Sequence, residues 1–170
     1  DAADLAMYEA KAAGRGRYAV HDCKDGGRGA SARTNWSERI DRALRDDLFV
    51  LHYQPIIKLD ENGSSRYEAL IRLADQPGEI VEAGKFLDIA ERYGLMTAID
   101  RWVIPRVITA LSSGELPEDA TIALNISSPS LADPELPNFI EQLLANHEID
   151  SHQLIFEIAE PAAFARLDDA

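Results

Sequence analysis

The chain has 170 residues, of which 17 are basic and 30 acidic, so its net charge is −13. This charge argues against general binding of duplex nucleic acid, which needs clustered lysine and arginine on the phosphates. One small anionic ligand stays compatible with it, because local charge or a bound metal can outweigh the overall sign. The single cysteine, Cys23, excludes an internal disulfide and argues against a cysteine-based zinc site. It fits a reducing compartment, and we expect a cytoplasmic location.

The sequence contains no apolar run of the roughly 20 residues that cross a bilayer, and no signal peptide is visible. The chain begins with Asp1 rather than methionine. We therefore expect it to come from the interior of a longer protein, and a membrane-attached parent protein is compatible with the sequence.

The first 20 residues predict a helix followed by a short strand. Within residues 1–13, Leu5, Tyr8 and Ala12 fall on one helical face. Twenty residues cannot bury a core alone, so we interpret residues 1–20 as the tail of a preceding domain. Residues 22–34 hold three glycines and almost no apolar side chains, which predicts a flexible linker, and we place its bounds at 21–36.

From residue 37 onward the pattern is that of a folded domain. Ser37 is a suitable N-cap for a short helix, and Leu48 to Leu59 form one or two extended segments around Pro55. Further along, the predicted elements are a strand at 67–73, a loop at 74–84, a helix at 86–93 closed by Gly94, a helix at 97–111, a strand at 121–127, a helix capped by Asp133 with Pro134 at its first position, a strand at 154–160 and a further helix after Pro161.

Strands that alternate with helices of this length predict an α/β fold with a parallel sheet or barrel. Pro105 is predicted to kink its helix or to mark the first turn of that helix.

Three of the predicted strands carry a side chain with an oxygen atom that could bind a ligand. Strands of a parallel sheet are usually buried on both faces and apolar, so these polar side chains require an explanation. Alternation places Glu68, Leu70 and Arg72 on one face of the first of these strands. Asn125 and Glu157 occupy similar places on the other two strands. Two buried carboxylates repel each other, and a divalent metal would resolve the repulsion. All-oxygen ligands favour Mg²⁺ or Mn²⁺ over zinc.

A structural explanation of the same residues stays open from the pattern alone. Glu68 could form an ion pair with Arg72, two residues along on the same face, and Asn125 could cap a loop.

Six segments occur together in a fixed order: HYQPII, YEALIRL, FLDIAERYGL, IDRWV, ALNIS and LIFEIAE. In this order and spacing, Ser37 to Ala170 resemble the EAL domains, bacterial phosphodiesterases that hydrolyse the second messenger cyclic di-GMP. The opening segment ADLAMYEAKAAGRGRY resembles the end of a GGDEF (diguanylate cyclase) domain. The resemblance therefore implies three parts: a GGDEF tail at 1–20, a linker at 21–36 and an EAL domain at 37–170.

The resemblance also implies a fold and a set of roles. The fold is a TIM-like (β/α)8 barrel of EAL type, with active residues at the carboxyl ends of its strands. Glu68, Asn125 and Glu157 would ligate Mg²⁺ or Mn²⁺, and Glu68 and Glu157 would be catalytic. The remaining roles are substrate contacts by Gln54 and Arg72, a nucleotide-lining position for Leu70, and support of an active-site loop by Glu160.

A full barrel takes about 250 residues, so we expect residues 37–170 to form only its N-terminal half. The family's downstream Asp-Asp pair and lysine would lie beyond Ala170, since Asp168 and Asp169 lack the context of that pair. We therefore expect the isolated chain to be inactive. An open half barrel exposes strand edges, so we expect poor solubility or pairing, for example a homodimer through the EAL or GGDEF regions.

Two alternatives from other functional classes stay open. One is a non-catalytic EAL receptor that binds cyclic di-GMP and signals through conformation, and the other is a protein-interaction scaffold. Intact Glu68, Asn125 and Glu157 favour the enzyme, since a receptor need not keep metal ligands.

Overall fold

The computed structural model describes residues 28–57 and 65–158. These residues form a mixed α/β structure, which confirms the predicted fold class. The elements are α1 (Arg28–Arg45), β1 (Phe49–Ile56), β2 (Arg66–Gln76), β3 (Glu79–Glu82), α2 (Leu87–Arg92), α3 (Met96–Ser112), β4 (Thr121–Ile126), α4 (Ser128–Leu131), α5 (Leu136–His147) and β5 (Leu154–Ile158). No helix within the described ranges is long and apolar enough to cross a membrane.

The sheet has the order β1-β2-β4-β5, and β3 pairs with β2. Strands β2, β4 and β5 are parallel, as predicted. The prediction was wrong for β1, which runs antiparallel to β2. The reason is the short connection between them, because a parallel crossover needs a dozen or more residues and only residues 57–65 join these two strands.

One face of the sheet packs against the helices and forms the core. On β2 this face carries Ala69, Ile71 and Leu73, all buried, while Glu68, Leu70 and Arg72 alternate with them on the opposite face. The apolar side chains of β4 and helix α3 complete the core: Ile122, Leu124, Ile126, Ile99, Trp102, Val103, Ile104, Val107 and Ile108. The period of two in the sequence therefore places the polar residues of β2 away from the core.

Two predicted boundaries were wrong in the first half of the described chain. Helix α1 begins at Arg28, so Ser37 lies inside it and residues 28–36 are helical instead of linker. The residues before Ser37 include alanine and arginine, both good helix formers, which lets the helix extend. The predicted loop at 74–84 contains strand residues, because β2 continues to Gln76 and the Pro77-Gly78 turn leads into β3.

The start of the last described helix also differs from the prediction. Helix α5 begins at Leu136, with Pro137 in its first turn, and Asp133 is therefore not its N-cap. Asp133 instead closes a turn ahead of the helix, since its Oδ1 accepts a hydrogen bond from the Glu135 N–H at 3.0 Å. The short helix α4 was not predicted, and Ser127 is its N-cap.

Pro105 is the tenth residue of α3 and does not lie in its first turn. Its ring removes the helical hydrogen bond to the Arg101 carbonyl group. The Thr109 hydroxyl group donates to the Pro105 carbonyl group at 2.8 Å. Gly94 closes α2 as predicted, with a φ of +68° that glycine adopts without strain.

A buried carboxylate ties the end of β2 to helix α1. The Asp75 side chain has no exposed surface and accepts two hydrogen bonds from the Arg39 guanidinium group, at 2.7 and 2.8 Å, and one from Arg42 at 3.1 Å. Hydrogen bonding to Arg39 is the largest of the causes that hold the pKa of Asp75 below its usual range. The carboxylate is thus bound in its charged form.

We predict a specific acid sensitivity from this carboxylate. Because its folded pKa is depressed, its contribution to stability is present above the unfolded pKa of about 3.9 and is lost as pH falls through the lower folded pKa. Asp75→Asn should lower the free energy of unfolding at pH 7 by about 2 kcal/mol, the order of hydrogen bonds to a charged group. Urea unfolding at a series of pH values should show this difference shrink as pH falls below about 3.9 and through the lower folded pKa of Asp75, where the carboxylate takes up a proton.

The exposed Asp46 supplies the control for this series. Asp46→Asn should leave both the stability and its pH dependence nearly unchanged. A constant gap between wild type and Asp75→Asn across all pH values would contradict the assignment.

Candidate active site

The candidate site lies on the sheet surface opposite the helices, which we call the open face. It carries all of the predicted site residues that the structure describes: Gln54, Glu68, Leu70, Arg72, Asn125 and Glu157. Glu160 lies outside the described residues. Within this set Gln54, Asn125 and Glu157 are exposed, and the three β2 residues are partly buried.

Strand register brings the polar residues of the open face into adjacent positions. Gln54 on β1 lies opposite Glu68 on β2, and Glu68 lies opposite Ala123 on β4. Asn125 is two residues further along β4 and lies opposite Glu157 on β5. Since neighbouring strands are about 4.8 Å apart, the polar side chains of four strands lie in one area of the face.

Glu68 and Asn125 are in direct contact. The Asn125 Nδ2 atom donates a hydrogen bond to Glu68 Oε1 at 3.1 Å, although the two residues are 57 positions apart in the sequence. The donor of this bond is the amide nitrogen, so the amide oxygen of Asn125 stays free to act as a metal ligand. The contact fixes one carboxylate against one amide, and Glu157 stands on the other side of that amide.

The chemistry of this donor set fits a hard divalent cation. Two carboxylates and one amide oxygen are ligands that Mg²⁺ and Mn²⁺ accept. The described residues contain no cluster of three or more histidine, cysteine, aspartate and glutamate side chains that could hold a metal. Any metal at this place would therefore depend on the Asn125 amide together with Glu68 and Glu157.

The structural alternatives for these residues find no support in the described ranges. Glu68 and Arg72 form no ion pair there, and the Arg72 guanidinium group instead donates to the neighbouring Ile71 carbonyl group at 2.9 Å. Asn125 does not cap the following loop, because Ser127 caps helix α4. Arg72 lies two residues beyond Leu70 on the same strand face, toward the carboxyl end of β2.

One polar residue near this site, Asp100, was not among the predicted site residues. Asp100 of α3 is buried and accepts hydrogen bonds from Ser127 and Ser130, directly after β4. The signal was present in the sequence, because Asp100 lies at helical spacing from the buried Val103 and Val107. A carboxylate in that apolar stripe requires buried partners.

Comparison with known proteins gives a consistent result. A family model described as "EAL domain" matches residues 37–170. The cyclic di-GMP phosphodiesterase PdeB of Shewanella oneidensis is 32% identical over 166 residues, which cover 95% of this chain and 19% of PdeB. The chain spans about a fifth of the length of the curated relatives it matches.

Two solved structures resemble the fold closely. The FimX EAL domain of Xanthomonas citri, in complex with c-diGMP, has a TM-score of 0.73 and 31% identity over 84% of this chain and 55% of that one. The PaMucR phosphodiesterase in a c-di-GMP complex has a TM-score of 0.67 and 30% identity over 79% of this chain and 56% of that one. These similarities confirm the predicted architecture, a part of an EAL-type barrel.

Proposed function

Because this chain belongs to the EAL domain family, we propose that it carries the N-terminal part of the active site of a cyclic di-GMP phosphodiesterase. The observation that carries the proposal is the meeting of Glu68, Asn125 and Glu157 on the open face, where Asn125 bonds to Glu68 and lies opposite Glu157. The relatives named as cyclic di-GMP phosphodiesterases and the solved EAL structures that contain the nucleotide support the choice of substrate.

In this proposal Glu68, Asn125 and Glu157 hold Mg²⁺ or Mn²⁺. When bound, such a metal lowers the pKa of a water molecule and stabilises charge on the phosphoryl oxygens. The carboxylates of Glu68 and Glu157 orient the reacting water molecule, and their negative charges lie next to that molecule. The reaction adds water across one phosphodiester bond of the cyclic dinucleotide and yields linear pGpG.

The substrate contacts in this proposal follow from the open face. Arg72 binds a phosphate group, for which a planar guanidinium group with several donors is well suited. Gln54 lies opposite Glu68 and contacts the same ligand. Leu70 lies between Glu68 and Arg72 on β2 and lines the nucleotide-binding site. Glu160, which the family resemblance assigns to loop support, completes the set of roles.

A calorimetric titration with cyclic di-GMP, with and without Mg²⁺, tests the proposal against its two rivals. Binding that requires Mg²⁺ supports the enzyme, whereas equal binding without the metal favours a receptor. If wild-type protein fails to bind under both conditions, the result contradicts binding by this chain and fits a scaffold role or a fragment with an incomplete site.

Arginine replacements add a matched pair to this titration. Arg72→Ala should weaken binding roughly tenfold or more, because a hydrogen bond to a charged group contributes about 1.5–3 kcal/mol. Arg66 lies on the same face of the same strand, at its other end. Arg66→Ala should leave the affinity within a factor of about two. Equal losses in both variants would indicate a general charge effect and remove Arg72 from the site.

We further predict that the 170-residue chain alone does not hydrolyse cyclic di-GMP. It covers 55% of the FimX EAL chain, and the family resemblance implies further metal ligands, an Asp-Asp pair, that Glu68, Asn125 and Glu157 do not supply. Nucleotide chromatography after incubation with Mg²⁺ or Mn²⁺ should therefore detect no pGpG above a buffer control. Multiple turnover by the purified chain would refute this prediction.

A further inference from the structure

Asp100 is a buried carboxylate to which the proposed chemistry assigns no role. Its exposed fraction is 5%, and burying an unpaired carboxylate costs several kcal/mol. Three hydrogen bonds compensate the burial, and all of them converge on Oδ2. They come from the Ser127 backbone N–H at 3.0 Å, the Ser127 hydroxyl group at 2.5 Å and the Ser130 hydroxyl group at 2.6 Å.

All three donors belong to the corner at which β4 ends and α4 begins. Ser127 is the N-cap of α4, and its Oγ atom also accepts a hydrogen bond from the Ser130 N–H at 3.4 Å. Asp100 lies 27 residues before Ser127 in the sequence, on a different helix. The corner is therefore held by hydrogen bonds to Asp100 of α3 as well as by the local hydrogen bond between Ser127 and Ser130.

This corner begins two residues after Asn125, and it fixes the strand on the side where β2 no longer pairs with it. The pairing of β4 with β2 ends at Leu124, so at Asn125 and Ile126 the strand is paired only with β5, on its other side. The Asn125 side chain is exposed, and within the described residues its side-chain contact is the single hydrogen bond to Glu68. An exposed amide with one hydrogen bond keeps its direction only if the backbone beneath it is held in place.

We propose that Asp100 is a positioning residue for Asn125. Through Ser127 and Ser130 it anchors the end of β4, so that the Asn125 amide reaches Glu68 and presents its oxygen to the cation. The part of this proposal that concerns the cation rests on the proposed function. The part that concerns the direction of the Asn125 amide does not.

The amide signals of Asn125 in a ¹H–¹⁵N spectrum test the proposal directly, after assignment by their loss in Asn125→Asp. In Asp100→Ala, which far-UV circular dichroism should report as folded, we expect these signals to move to the positions of a free amide. We also expect the affinity for Mn²⁺ to fall at least about tenfold, the lower range for loss of a residue that orients a metal ligand.

Asp75→Ala is the matched control, because it removes another buried carboxylate with three hydrogen bonds, at a different place in the fold. It should lower stability and leave the Asn125 signals in place. Asp100→Asn should restore much of the wild-type spectrum, because an amide oxygen still accepts hydrogen bonds although the charge is gone.

If Asp100→Ala does not fold, Ser130→Ala tests the proposal in its place, because it removes only one of the three hydrogen bonds. It should shift the Asn125 signals in the same direction, by a smaller amount. Unmoved signals in a folded variant would overturn the role of Asp100. Failure of wild-type protein to bind Mn²⁺ would instead count against the proposed function. The amide signals of Asn125 would still test whether Asp100 positions that side chain.

Discussion

Glu68→Gln is expected to remove most of the metal-dependent chemistry of the site while leaving the sheet intact. Glutamine keeps an oxygen that can accept the hydrogen bond from Asn125, so the contact between β2 and β4 survives. What is lost is a negative charge beside the proposed cation. A bound metal supplies several kcal/mol of transition-state stabilisation, so we expect hydrolysis to slow about 10²- to 10³-fold.

Two measurements check this prediction. Isothermal titration with Mn²⁺ on the 170-residue chain reports the loss of metal affinity, and pGpG formation by a complete barrel that contains these residues reports the rate. Glu79→Gln is the control, since Glu79 is an exposed glutamate at the start of β3 and its replacement should change neither quantity. A Glu68→Gln variant that binds metal and hydrolyses the nucleotide like wild type would remove Glu68 from the metal site.

Leu124→Ala is expected to produce the largest loss of stability among single replacements near the site. Leu124 is 1% exposed on the central strand β4, where it lies opposite Ala69 on one neighbour and Phe156 on the other. Truncation of a buried leucine leaves a cavity and costs about 2–5 kcal/mol. This is a large fraction of the roughly 5–15 kcal/mol that stabilises a typical domain.

Urea unfolding followed by tryptophan fluorescence measures this loss, because Trp102 lies in the same core. Leu131→Ala makes the same chemical change at a side chain that is 41% exposed, and it should cost less than about 1 kcal/mol. A small effect at Leu124 would mean that the core around β4 is less tightly packed than its burial indicates.

The alternation of side chains within β2 could be predicted from the sequence because it depends only on local geometry. A strand places residues two apart on one face, so Glu68 and Arg72 had to lie together once the segment was extended. The apolar residues of α3 were predicted in the same way from helical spacing. The family motifs added the expected architecture, and the TM-score of 0.73 to a solved EAL domain agrees with it.

Local signals were insufficient where two interpretations of a segment have similar energies. Pro77 and Gly78 indicate a turn, and the sequence did not reveal that the turn joins two paired strands. Asp133 and Pro134 have the composition of a helix start, yet the side chain of Asp133 is used by a turn ahead of the helix. Such choices depend on how the flanking elements pack.

The sequence by itself determined which side chains share a strand face or a helix face, because both periods are properties of the local backbone. Only the tertiary structure decided which faces meet. The contact of Asn125 with Glu68 depends on the register of β2 and β4, and the burial of Asp100 against Ser127 depends on the packing of α3 under the end of β4. Register and packing are set by the sum of many weak contacts between distant segments, and no single stretch of sequence encodes that sum.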